Sequence, residues 1–294
     1  MTKSPLISRF FQKSDQLAVS QKNYRQTVTD LFSWLTKSDA AEQDLTSSLL
    51  KFQSPVTAKI ICHNPAVIAG IEEISYLVKD FKPLVQDGQT VAKNQAIVQI
   101  TGPVTKILGF ERTIINLLQR LSGIATQTRQ LIKLVPSNVF IAATRKTPWG
   151  LLDKKGVAIG GGLTHRLNLA DGILIKDNHL KLITITQALK TVLPQIERQL
   201  IEVEVKTETE AIQTLNAFKS IKSTNFLAIM FDNFPATKIK SAIDRLNDSS
   251  VIYEASGGIN QTNLSAFAKS GVDIISLGAL THSSRAVDLS LEII

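Results

Sequence analysis

The residues able to do chemistry gather between positions 143 and 180, "ATRKTPWGLLDKKGVAIGGGLTHRLNLADGILIKDNHL". Arg145 and Lys146 follow a short apolar, β-branched run at 139–143, and Lys176 follows a second at 172–175. His165 and Arg166 come just after a glycine triplet at 160–162, which a flexible loop would also explain. Cations placed directly after buried strands describe a pocket for a small, highly anionic ligand. The plainer account, a solvated basic surface, would scatter them over polar helix faces instead. Glu202 and Glu204 stand two apart in an apolar run, so their carboxylates face the same side of a strand, and Asp232 ends the next run. Buried carboxylates are costly unless paired, hydrated or bound to metal. With room for water they suit Mg²⁺ shared with a substrate's phosphates; ion pairs to Lys146 or Lys176 are the alternative. Ser256-Gly257-Gly258 and Gly278-Ala279 offer backbone N–H groups free of side-chain cover, a common way to hold phosphate. Together these features suggest transfer between a phosphorylated sugar and an acidic acceptor.

The elements that must position them follow from the spacing of apolar residues. Apolar runs at 139–143, 172–175, 200–205, 226–231, 251–256 and 273–278 read as strands. Helical patterns lie between them at 183–192, 208–219, 236–246 and 262–269. Such alternation implies parallel β/α units, and without a GxGxxG after the first strand it favours a barrel, whose strand ends converge on one mouth. Upstream, 110–134 carries Ile114, Leu117, Leu118, Leu121, Ile124 and Ala125 at helical spacing. This places Arg112 in a first turn, an unfavourable place for a cation beside the helix dipole. Residues 23–35 suit a short helix, and strand candidates at 57–63, 66–71, 89–102 and 103–108 suggest a separate mixed sheet. Residues 1–22, polar and without clear periodicity, read as a loosely held extension.

Composition bounds the rest. The chain has 294 residues and a formal charge of +8, with no basic block or nucleic-acid motif; an anionic small molecule accounts for the charge as well. No apolar run is long enough to span a bilayer, and the N-terminus does not read as a secretory signal. One cysteine, Cys62, excludes an internal disulfide and fits a cytoplasmic setting. Its neighbour His63 points to the opposite face of a strand, so Cys62 is read as a core residue.

The segments "DLTSSLL", "ERTIINLLQRLSGIAT", "TRKTPWG", "GGGLTHR", "LIKDNH", "EVEV", "IMFDN", "EASGGI" and "GVDIISLGALTHS" make most of the chain resemble the quinolinate phosphoribosyltransferases. The resemblance implies an N-terminal α/β sandwich-like domain, 23–117 completed by 282–294, and an incomplete α/β (TIM-like) barrel, 118–281. It implies quinolinate bound by Arg145, His165, Arg166 and Lys176, with Arg112 contributed across a homodimer or larger homo-oligomer. Lys146, Glu204 and Asp232 would be catalytic. Lys146 would meet the pyrophosphate of phosphoribosyl pyrophosphate, Glu204 and Asp232 the ribose hydroxyls and Mg²⁺, and Ser256, Gly257, Gly258, Gly278 and Ala279 the 5-phosphate. The family usually reads "TRKTTPG" where this chain has "TRKTPWG", a change beside Lys146. A molybdate-transport-associated sister family, nicotinate phosphoribosyltransferase and a non-catalytic sensor are the rivals. The intact "LIKDNH", the number of cations and the retained Lys146, Glu204 and Asp232 argue against each in turn.

Overall fold

The computed structural model describes residues 3–40, 44–52 and 54–294. In chain order the strands are β1 (Pro55–Cys62), β2 (Ala66–Val67), β3 (Phe81–Pro83), β4 (Thr90–Val91), β5 (Gln95–Pro103) and β6 (Phe140–Ala142). There follow β7 (Ile173–Ile175), β8 (Leu200–Val205), β9 (Phe226–Asp232), β10 (Ile252–Ser256), β11 (Ile274–Ser276) and β12 (Leu289–Ile293). The chain packs as two units, each assembled from three separated stretches.

One unit takes Ser14–Gln130, Thr147–Gly161 and Leu280–Ile294. Its antiparallel sheet runs β12-β1-β5-β3, with β2 and β4 paired separately. Ala58, Ile60 and Cys62 of β1 are buried at the two-residue period of a half-buried strand. The Cys62 thiol donates to the Asn64 carbonyl, and burial pushes its pKa up, as befits a core cysteine. Pro103 ends β5, having no N–H for a ladder, and the helix Val104–Ile132 starts at once. That start lies upstream of the expected 110 and takes in 104–108 of the run 103–108 expected as strand. Val104 and Ile107 extend the buried face of Ile114, Leu117, Leu118 and Leu121 at the same three- and four-residue spacing, so burial overrides the β-branched local sequence. Arg112 is therefore well inside the helix, and the dipole argument for it falls away.

The glycine triplet is not a flexible loop. Gly160 ends the helix Leu151–Gly160, where a Cβ would lie 2.6 Å from the Thr128 side chain and 2.7 Å from the Ala125 carbonyl. Gly161 caps it at φ 98°, a left-handed conformation suited to glycine. The unusual Trp149 serves the other end of this helix. Its N–H donates to Asp153, and the Arg120 guanidinium lies 5.1 Å from its ring centroid while bonding Asp153 through two nitrogens.

The second unit comprises the residues through Lys13, Leu131–Lys146 and Gly162–Ala279. Its sheet is parallel throughout, in the order β6-β11-β10-β9-β8-β7. Among the described residues a single bridge, Ala142 to Leu163, extends the row beyond β6, so this is an incomplete α/β barrel. Thr184 and Thr207 accept N–H bonds at the starts of the helices Ile185–Val192 and Glu208–Ser220, as expected of N-caps.

The N-terminus corrects the expectation of a loosely held extension. Ser4–Phe11 is a helix whose Ile7 and Phe11 pack against Leu200, Ala228, Ile252 and Ile274, at or near the strand starts. Lys3 also pairs with Asp273 at 2.8 Å. The signal was present: Phe10 and Phe11 stand three and four residues after Ile7, but the window is short and polar. Residues 118–130 and 147–161, assigned by expectation to the barrel, cluster with the antiparallel sheet instead. Among the described residues, no helix is long and apolar enough to cross a membrane.

Candidate active site

Every strand of the parallel sheet carries polar groups or glycine at or just past its C-terminal end. Thr144, Arg145 and Lys146 follow β6, and Arg145 and Lys146 are exposed. Lys176 follows β7 as the N-cap of a short turn, Asp177–Leu180. The strand register pairs Glu204 with Met230 and Ser256 with Asp232, so the ends of β8, β9 and β10 form one rim. Asp177 and Lys206 join across it at 2.9 Å. This pair was not anticipated; Lys206 lies one residue past the apolar run that marks β8, where a strand-end cation could have been noticed.

Glu204 is half-buried. Burial, then the negative charges of Asp232 and Asp177, push its carboxyl above the ordinary value, while Lys176 and Lys206 pull it back. Acids that oppose one another's ionisation are relieved by a divalent cation, and an incompletely dehydrated set of this kind fits Mg²⁺. Next to them the chain makes two interlocked turns. Asn233, at φ 58°, donates its N–H to the Ser256 carbonyl at 2.8 Å. A Cβ at Gly257 would lie 2.3 Å from the Asn233 side chain, whereas one at Gly258 would meet only open space. The first glycine lets the turns touch, and the second leaves the space beside it open.

Arg166 is partly buried. Burial, and then the neighbouring Arg145 charge, lower its pKa, with Glu202, Asp171 and Glu204 opposing. Two guanidiniums held near each other favour a ligand carrying more than one negative charge.

His165 departs from the expected arrangement. Its ring is buried inside the barrel, hydrogen-bonded through Nδ1 alone and with two carboxylates near Nε2. Nδ1 accepts the Arg166 N–H at 2.8 Å, while Nε2 lies 3.4 Å from Glu202 Oε2 and 3.3 Å from Glu254 Oε2. All three side chains are buried. Burial favours the neutral ring, the form whose Nδ1 can accept the Arg166 N–H, while Glu254 and Glu202 draw a proton to Nε2 and raise the pKa. Burial and then Glu254 push Glu202 up to about 7; His165 holds Glu254 below its ordinary value despite burial. Glu202 thus faces His165 and Glu254. Glu254 carried no expected role, although a lone acid inside "VIYEAS" was the available signal. A cavity of about 360 Å³ adjoins this trio, lined by Phe10, Phe11, Lys13, Gln199 and Leu200. His165, Arg166, Asp171 and Glu202 also line it.

Arg112 belongs to the other unit. It is exposed and lies 3.9 Å from Glu111.

A parallel α/β barrel with cations, acids and glycine turns around its strand ends defines an enzyme acting on small anionic, phosphate-bearing substrates. Residues 44–122 match the family description "Quinolinate phosphoribosyl transferase, N-terminal domain" and residues 124–292 the corresponding C-terminal domain. The chain belongs to the quinolinate phosphoribosyl transferase family. It is 34% identical over 282 residues to a probable nicotinate-nucleotide pyrophosphorylase [carboxylating] of Methanothermobacter thermautotrophicus, covering 90% of this chain and 99% of the relative. A protein of the same description from Methanocaldococcus jannaschii is 40% identical over 247 residues, 80% of this chain and 83% of the relative. The solved nicotinate-nucleotide pyrophosphorylase of Francisella tularensis superposes with a TM-score of 0.81 at 35% identity, covering 92% of this chain and 96% of that one.

Proposed function

We propose that this chain transfers the phosphoribosyl group of phosphoribosyl pyrophosphate to quinolinate, releasing pyrophosphate and CO₂ and giving nicotinate mononucleotide for NAD synthesis. The observation that carries the reading is the gathering of Arg145, Lys146, Lys176, Glu204, Asp232 and the Ser256–Gly258 turn on one rim of strand ends. Family membership over nearly the whole chain supports it.

Arg145, Arg166 and Lys176 bind the two carboxylates of quinolinate, joined by Arg112 of a second subunit in a homodimer or larger homo-oligomer. His165 serves behind Arg166. Ser256, Gly257 and Gly258, with Gly278 and Ala279, hold the 5-phosphate by backbone N–H groups. Glu204 and Asp232 hold the ribose hydroxyls and would hold Mg²⁺, which when bound supplies charge neutralisation for the pyrophosphate. As the bond from the anomeric carbon to pyrophosphate breaks, positive charge grows on the ribose, and Glu204 and Asp232 stabilise it. Lys146 stabilises the charge appearing on the leaving group. The pyridine nitrogen bonds to the anomeric carbon, the 2-carboxylate departs as CO₂, and a proton takes its place. The protein supplies placement and field, with no covalent intermediate. The single buried cysteine agrees with a cytoplasmic setting.

Turnover of the purified protein with phosphoribosyl pyrophosphate and Mg²⁺ tests the reading, quinolinate and nicotinate being offered separately. Nucleotide and CO₂ in equal amounts from quinolinate alone is the expected result. Nucleotide from nicotinate alone would overturn it.

A further inference from the structure

We propose that Glu202 and Glu254 are positioning residues that act through His165 to set Arg166 for its dianionic ligand; the inference rests on the reading of the mouth as a quinolinate pocket. His165 adopts φ 52°, a left-handed conformation that side chains with a Cβ disfavour, and such a residue persists only where its surroundings over-determine it. Here they do. Its N–H donates to the Phe11 carbonyl at 2.9 Å. Its ring meets the Phe11 ring edge-on, with centroids 5.0 Å apart and an interplanar angle of 82°. Nε2 is caught between the two carboxylates, and Nδ1 receives the Arg166 amide. The ring's orientation therefore fixes the amide from which the Arg166 side chain departs.

A stable barrel interior does not call for this trio. Glu202 Oε1, both Glu254 carboxylate oxygens and His165 Nε2 are buried without hydrogen-bond partners, and apolar side chains of similar volume would commonly fill such a place at no loss of stability. The arrangement gains its sense from the pair of guanidiniums nearby. Arg166 and Arg145 repel each other and separate readily unless something holds one of them. The His165 turn holds its backbone, and the Glu202 charge attracts its side chain from within the barrel. The two cations are thereby spaced before the ligand arrives, which is preorganisation of an electrostatic site.

The test is Glu254→Gln, with Glu202→Gln as the second isosteric variant, each made alone and in an Arg166→Ala background. Quinolinate binding is measured by calorimetry, together with KM for both substrates, kcat and thermal unfolding. Either variant alone should weaken quinolinate binding and raise its KM roughly tenfold, the lower end of what outer partners of a binding group are worth. The KM for phosphoribosyl pyrophosphate and kcat should move by less than about twofold. In the Arg166→Ala background the added loss should also be below about twofold, because residues acting through one another are not additive. An equal loss in both backgrounds, or an equal loss for both substrates, would overturn the inference. So would a stoichiometric divalent metal held by the trio in the wild-type protein and lost in Glu254→Gln, since these donors all lie within 4.8 Å of one another. A wild type that binds quinolinate while both variants retain its affinity overturns the inference alone; a wild type that binds none overturns the functional reading as well.

Discussion

Glu202 and Glu204 stand two residues apart on one face of β8, yet they occupy two different chemical environments. Glu202 is closed inside the barrel with His165 and Glu254, and Glu204 lies at the rim among Lys176, Lys206, Asp177 and Asp232. Burial raises both pKa values, but what opposes it differs. At Glu204 two flexible lysines moderate the repulsion of neighbouring acids, and a ligand or cation can enter and change the balance. At Glu202 the compensation comes from one buried imidazole. One turn of the strand pleat separates a field that responds to substrate from a field that is constant. The difference teaches that residue type and register locate a functional face, while depth along it decides whether an acid works on the substrate or on the protein.

That contrast can be broken by substitution. The largest effect belongs to the rim: Lys146→Ala should lower kcat roughly 10²–10³-fold, the scale of one preorganised charge contact, with unfolding temperature unchanged. Steady-state turnover decides it, and near-wild-type activity would remove Lys146 from the chemistry. Next, Glu204→Gln should lower kcat by about 10² on the same scale and raise the Mg²⁺ concentration needed for half-maximal rate. Full activity in excess chelator would sink the metal assignment. Gly257→Ala should raise the KM for phosphoribosyl pyrophosphate by roughly tenfold, about the factor that 1.4 kcal/mol of lost transition-state binding supplies, and leave quinolinate binding near wild type. An unchanged KM would mean the turn is only a joint between strands.

The smallest effect serves as a control from the other unit. Glu73, fully buried and accepting the Tyr24 hydroxyl at 2.6 Å, is pushed up to about 7, chiefly by burial and then by Asp87. Folding therefore binds a proton between the unfolded value near 4.5 and about 7. The stability this proton provides is complete below that window and lost as pH rises through about 7. Glu73→Gln should flatten the fall, by up to about 1.4 kcal/mol per pH unit, with no change in KM or kcat. Urea midpoints at pH 5 and pH 8 read it; identical pH slopes in the two proteins would refute it.

Much of this molecule could be read ahead of its structure. The parallel strands were legible because short apolar runs bounded by charge or glycine have few other uses, and their ends named Arg145, Lys176, Asp232 and the Ser256 turn without geometry. What escaped had physical reasons. The helix Ser4–Phe11 earns its place only through contacts with strands far along the chain, a tertiary effect no local window contains. Val104 and Thr105 favour strand locally, so the true start of the long helix was hidden, and with it the placement of Arg112. His165 has the composition of a ligand-binding residue, but its backbone conformation turns the ring inward. Glu254 was visible only as an acid out of place. The meaning of Gly160 lay in how closely Thr128 approaches it.

The helix Ser4–Phe11 has a consequence for the order in which the molecule is made. The apolar face of this helix packs on partners that extend to Ile274. At typical translation rates those partners emerge tens of seconds later. For that interval Ile7 and Phe11 lack their native cover, and the barrel's strand-start side is closed only when the last parallel strand is in place. His165, whose N–H awaits the Phe11 carbonyl, is completed by the same event. The core behind the substrate pocket is thus complete only once β11 has emerged.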